Sequence, residues 1–207
     1  MASGERYELP PERLGRWLER WAEAHGGLVD TTVSGSVVTL VAGDGAVVDC
    51  EPPFPPVEGD LLAHVARERV VGVLLVRLGG HAAGVFRGTR LVDSKVGAKP
   101  VHGRHRAGGS SSGRFARRRA GQARVALQAA AEVAVRVLRA PAEAGELDAV
   151  VLGGDRSALG TVLEDTRLAA VRRLAVSRVL DVGDPRMRVL EATPEAFLAT
   201  VVSLRSP

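Results

Sequence analysis

From Ser112 to Arg139 the chain reads SGRFARRRAGQARVALQAAAEVAVRVLR, rich in alanine, leucine and arginine, with no proline until Pro141. Such residues lose little side-chain freedom in a helix, so this segment is expected to form the longest helix of the chain, giving way at Ala140-Pro141. Its first half is basic, whereas Leu127, Ala131, Ala134 and Leu138 recur at helical spacing as a narrow apolar seam. One end of the helix is built to meet solvent or a partner and the other to pack. A core must form around that seam, and 207 residues with 45% hydrophobic content suffice for one.

The flanking segments supply the core. Leu14, Trp17, Leu18 and Trp21 stand at i, i+3, i+4 and i+7 and predict an amphipathic helix ended by Gly26-Gly27. SVVTLVAGDGAVVDC reads as a hairpin about Gly43-Asp44-Gly45, PPFPP as a rigid connection, and Asp60 to Glu68 as a short helix. RVVGVLLVRL, HAAGVF and TRLVDSKV then read as strands turning at Gly79-Gly80 and Gly88-Thr89, so Val33 to Val96 is expected to be largely an antiparallel meander. Beyond the long helix, LDAVVLGG reads as a buried strand and Asp155 as the cap of a helix running to about Asp165. LAVSRVLDV and MRVLEA read as strands, and TPEAFLATVVSLR as a closing helix capped by Thr193. A meander followed by strand and helix alternation predicts the α/β (α+β) class, a mixed sheet covered by helices. The expected organisation is a single domain over residues 1–207, with an N-terminal helical extension at 1–32 and a core at 33–205.

Charge is unevenly placed. Between Asp93 and Glu132 there is no acidic residue, while Lys95, Lys99, Arg104, Arg106, Arg114, Arg117, Arg118, Arg119 and Arg124 carry +9. The whole chain carries +4, so the remainder carries −5, an asymmetry that points to a polyanionic partner. Cys50 is the only cysteine, which excludes an internal disulfide and a thiolate zinc cluster. No amino-terminal apolar segment of signal type and no membrane-length apolar run is present, so a cytoplasmic protein with no membrane association is expected.

The window centres on VHGRHRAGGSSSGRFARRRAGQARV, Val101 to Val125. Gly108 and Gly109 free the backbone, Ser110, Ser111 and Ser112 offer hydroxyls beside amides that no helix has yet used, and the helix dipole and arginines favour an anion there. A P-loop is imitated only in part: Arg114 stands where the phosphate-reaching lysine belongs and Phe115 where a hydroxyl must hold Mg²⁺. His102-x-x-His105 sits among Gly103, Arg104 and Arg106 with no carboxylate nearby, which disfavours a divalent ion, so no metal or cofactor is expected. A serine–histidine nucleophile, whose members meet only in space, stays open although nothing matches a nucleophile elbow, and a nuclease would need clustered acids that the window lacks. His25, His64 and His81 are isolated and receive no role. Composition alone leaves two readings, a polar loop before a basic surface helix or a nucleic-acid contact.

At these residues a family resemblance enters. A strand ending in basic residues, then AGGSSSGRFARRRAGQARVALQAAAE, resembles the actinobacterial branch of the Vms-like release factors, relatives of the middle domain of archaeal and eukaryotic class I peptide release factors. The resemblance runs from about Val33 to Arg205, with the helix near Trp17 as an addition. It implies a ribonuclease-H-like mixed α/β fold and hydrolysis of the ester joining a nascent peptide to tRNA. It assigns Gly108 and Gly109 to the reaction centre, where Ser110, Ser111 and Ser112 are expected to stand beside them. Arg104, Arg106, Arg114, Arg117, Arg118 and Arg119 are assigned to RNA binding, against tRNA acceptor and ribosomal RNA backbone. The implied partners are the large ribosomal subunit, peptidyl-tRNA and ribosomal RNA, approached by a monomer. Where the family has glutamine one to three positions past the glycine pair, this chain has Ser110, Ser111, Ser112 and Gly113, and Gln122 lies two turns into the helix. Two outcomes remain open: hydrolysis supported by serines and backbone, or a non-catalytic RNA- or ribosome-binding module. The chain's length is expected to leave no room for a codon-reading domain, which favours rescue of stalled or split ribosomes.

Overall fold

The computed structural model describes residues 5–77, 79–99 and 112–205, with backbone alone for 112–119. The chain begins with strand β1 (Arg6–Leu9), helix α1 (Pro11–Ala24), strands β2 (Leu28–Ser34), β3 (Val37–Ala42) and β4 (Val47–Glu51), and helix α2 (Leu61–Ala66). Three strands follow, β5 (Val70–Arg77), β6 (Gly80–Arg87) and β7 (Arg90–Ala98), and then the long helix α3 (Ser112–Ala134). A π-helical turn at Val135–Arg139 leads into α4 (Ala140–Glu143), strand β8 (Ala149–Gly154), α5 (Arg156–Leu163), α6 (Ala169–Arg173) and strand β9 (Ala175–Leu180). The chain closes with α7 (Met187–Glu191), α8 (Thr193–Phe197) and strand β10 (Thr200–Arg205).

These elements form two compact units, one of residues Met1–Glu68 with Pro194–Pro207 and one of Arg69–Thr193. The first holds an antiparallel sheet in the order β1-β10-β4-β3-β2. Its inward residues alternate as a half-buried strand requires: Val38, Leu40 and Ala42 on β3 and Val48 and Cys50 on β4 are buried. The stripe predicted on α1 closes that core, with Leu14 and Trp21 buried and Trp17 and Leu18 packed against the same cluster. Asp60 caps α2 as its type requires, accepting hydrogen bonds from the amides of Leu62 and Ala63 at 3.0 Å each.

The second unit holds a mixed sheet in the order β7-β6-β5-β8-β9. β5, β6 and β7 pair antiparallel, whereas β5 with β8 and β8 with β9 run parallel. Val71 to Val76 and His81 to Phe86 are buried throughout, the continuous pattern of strands covered on both faces. Onto this sheet α3 lays Ala126, Ala130, Ala131 and Ala134, continued by Val137 and Leu138, all buried, with Leu127 partly so. The mixed α/β class and the apolar seam of the long helix are both observed.

Several expected elements differ. The meander is divided: the β3–β4 hairpin belongs to one sheet and β5 to β7 to the other. The long helix does not stop at Ala140-Pro141, because the π-turn realigns the backbone and Pro141 falls in the first turn of α4, where its missing N–H removes no bond. MRVLEA is helical, since the run is too short to show its period and Leu190 is wanted at one spot, fully buried beside Gly84. The closing helix ends at Phe197, and TVVSLR pairs between β1 and β4, tertiary pairing overriding local preference. Thr193 does not cap: its hydroxyl donates to the Leu190 carbonyl at 2.7 Å. Residues 6–9 and 28–34 are strands that no sequence signal marked.

Burial, and then the charge of Asp49, pushes the Cys50 thiol up to about 12. Cys50 is therefore expected to react with iodoacetamide only through opening of its unit, its labelling rising with urea in step with loss of the circular dichroism signal. Rapid labelling in native buffer would contradict the burial. Leu138→Ala, which empties a fully buried site, is expected to cost about 2–5 kcal/mol in urea unfolding.

Candidate nucleic-acid interface

Arg104, Arg106, Gly108, Gly109, Ser110 and Ser111 lie outside the described residues, as does the pair His102 and His105. Ser112 opens α3, and Arg114, Arg117, Arg118 and Arg119 occupy its first two turns. Arg114, Arg117 and Arg118 hold i, i+3 and i+4 positions of a regular helix, the register at which residues are neighbours on one face. The described remainder of the basic window, Lys95, Lys99 and Arg124, is exposed. The sequence reading therefore placed the arginine run on the right element.

Two features fix α3 where it stands. The alanine seam is one. The other is Arg167, whose guanidinium donates to Glu132 on the helix at 2.6 Å and to Asp165 at 2.7 Å. Hydrogen bonding from Arg167 holds both carboxyls below the usual range. The pairs are largely exposed, so their worth lies in orientation more than in stability. Glu132, the first acid beyond the basic window, is thus engaged away from the arginine turns.

The sequence did not disclose what lies at the foot of α3. At the C-terminal ends of the parallel strands β5 and β8, a cleft of about 190 Å³ opens between α3, the β5–β6 turn and the start of α5. Open α/β sheets place ligands at this edge. One wall is apolar, made by Ala123, Ala126, Leu127 and Ala130 of α3. Opposite stand Gly79, Gly80 and His81, and the mouth carries Arg77, Asp155 and Ser157.

The local sequence explains this shape. β8 passes into α5 without a loop because Gly154 takes φ +101°, a conformation that L side chains rarely adopt, and a Cβ there would strike the Val76 carbonyl oxygen. Asp155 then donates its backbone N–H to that same carbonyl at 2.8 Å, while its side chain accepts from the Ala158 amide at 2.9 Å and caps α5. His81 is 4% exposed, its ring lying across Gly97 of the neighbouring strand, where a side chain would collide with Nε2. Burial, and then the charge of Lys99, holds its imidazole below the ordinary histidine value, so it is neutral at physiological pH. Arg77 is tethered by an Nη1 hydrogen bond to the Val182 carbonyl at 2.6 Å. The Lys99 backbone N–H donates to the Gly79 carbonyl at 2.8 Å, which ties Lys99 to the β5–β6 turn that lines the cleft. No group of three or more potential metal ligands occurs among the described residues. No helix among them is long and apolar enough to cross a membrane.

Residues 69–203 match the family described as the Actinobacteria/chloroflexi VLRF1 release factor. The chain belongs to this release factor family. The VLRF1 match begins with the second compact unit and takes in the whole basic window, a narrower span than Val33 to Arg205. No curated protein matches the chain. Among solved structures, the crystal structure of the archaeal translation termination factor aRF1 is 18% identical, covering 73% of this chain and 46% of that one with a TM-score of 0.47. The structure of an archaeal protein is likewise 18% identical, covering 76% of this chain and 49% of that one with a TM-score of 0.44. The chain thus spans about half the length of each.

Gly154→Ala is expected to destabilise the protein by roughly 1–3 kcal/mol in urea unfolding, through strain at the β8–α5 junction. Gly160→Ala, in the same helix with open space around it, serves as the control and should not destabilise.

Proposed function

We propose that this VLRF1-family chain is a cytoplasmic ribosome-directed peptidyl-tRNA hydrolase that frees nascent peptides on stalled or split ribosomes. The observation that carries the reading is the family match over 69–203, which contains both the glycine pair and the basic turns of α3. Gly108 and Gly109, with Ser110 to Ser112, enter the peptidyl-transferase region. Arg104, Arg106, Arg114, Arg117, Arg118 and Arg119 hold tRNA acceptor and ribosomal RNA phosphates, contacts that position without reading sequence.

The chemistry asks little of acid and base side chains. Water attacks the ester carbonyl, the carbonyl oxygen takes up negative charge, and the bond to the tRNA 3′ oxygen breaks as that oxygen gains a proton. A loop amide aimed at the developing oxyanion, together with a water held by neighbouring polar groups, lowers the barrier through placement and electrostatics. Ser110 to Ser112 supply hydroxyl groups where the resemblance implies a glutamine. That substitution favours a second reading, a ribosome-binding module without hydrolysis.

Peptide release from purified large subunits bearing peptidyl-tRNA separates the two. The hydrolase reading expects release by the natural chain and a loss of about 100-fold in Gly109→Ala through misplacement of the loop. Subunit binding without release would overturn it and leave the binding module.

A further inference from the structure

The cleft at the foot of α3 is not accounted for by ester hydrolysis at the glycine pair. We infer that it receives one unpaired RNA nucleobase, delivered by the strand that the basic helix holds. This rests on the RNA-directed reading above and adds a base subsite to it.

Size is the first argument. Pockets for drug-sized ligands occupy about 300–1,000 Å³, and this cleft at about 190 Å³ suits a single flat ring system without its sugar and phosphate. Shape is the second. Ala123, Ala126 and Ala130 give α3 a shallow face where larger aliphatic side chains would close the gap, and the turn residues Gly79 and Gly80 stand opposite it. Protein interiors close-pack, so a wall of small residues beside open space at a sheet end has the form of a slot.

The polar groups suit the edge of a base. Asp155 uses Oδ1 on the Ala158 amide, and its remaining carboxylate oxygen can accept from an exocyclic amino group, as acidic side chains accept from cytosine N4. His81 lines the cleft, is buried and neutral, and makes no hydrogen bond among the described residues, which leaves a ring nitrogen for a second contact. A phosphate is disfavoured at the same spot, because the α5 N-terminus is already occupied by the Asp155 carboxylate. Placement completes the case: Lys99 leaves from the cleft rim at Gly79, and the helix that carries the arginine turns forms the cleft wall. Proteins that read RNA outside duplexes splay bases in this manner while cationic groups track the backbone.

The test uses the full chain and a fluorescent RNA hairpin with a single-stranded 3′ tail. Three tails are compared: all adenosine, all abasic, and all uridine, which lacks an exocyclic amine. The adenosine tail should bind roughly tenfold more tightly than the abasic one, the scale of a single stacked base, and more tightly than the uridine one. Ser157→Trp at the mouth and Ala123→Leu on the wall should each erase the difference between adenosine and abasic tails while leaving salt-dependent binding of the hairpin intact. Ser157 is exposed, so its variant keeps the test valid if Ala123→Leu fails to fold. Asp155→Asn keeps a capping oxygen and should remove the preference for adenosine over uridine. Equal, salt-dependent affinity for adenosine and abasic tails would overturn the cleft assignment alone. Discrimination that survives Ser157→Trp would do the same. No binding of any hairpin would overturn the RNA-directed reading together with the cleft.

Discussion

The packing of α3 across β6 and β7 is the constraint on which the rest of the second unit depends. Its alanines let the helix approach closely, and the π-helical turn that continues it interlocks with β5: the Leu138 methyl lies 3.1 Å from the point where Gly72 would carry a Cβ. A helix held this firmly at its C-terminal half can project its N-terminal half as a lever. Because the sheet, the seam and the Arg167 fork set the helix axis, they also set where the backbone of the arginine turns lies.

Electrostatics follows the same division of labour. The acid-free window runs from the second half of β7 to Ala131 of α3, bounded by Asp93 on the strand and by Glu132 on the helix, and Glu132 is committed to Arg167. The turns of α3 that carry Arg114 to Arg119 and the alanines that line the cleft thus belong to one helix. Phosphate contacts alone carry no base information, so a recess with edge-facing polar groups is what a cationic helix lacks.

Much of this was legible from residues. β5, β6 and β8 are long apolar runs bounded by glycine, α1 carries a clean stripe, and Asp60 and Asp155 sit where helix starts need an acceptor. α7 and β10 were misread because each is a handful of residues whose state is decided by a partner: Leu190 by its place beside Gly84, and Val201 and Val202 by strands far away in sequence. The basic helix announced itself through charge. The cleft did not, since Gly79, Ala126 and Asp155 come together only through the parallel pairing of β5 with β8, and His81 looked like any isolated histidine.

The central claim is that the first turns of α3 clamp RNA backbone. Binding to purified large ribosomal subunits over a range of salt concentrations tests it most directly, with the natural chain beside Arg114→Ala, Arg117→Ala and Arg118→Ala singly and together. The account predicts affinity that falls steeply with salt and a log–log slope reduced by about one for each arginine removed. Salt-insensitive binding, or a slope unchanged in the triple variant, would contradict it.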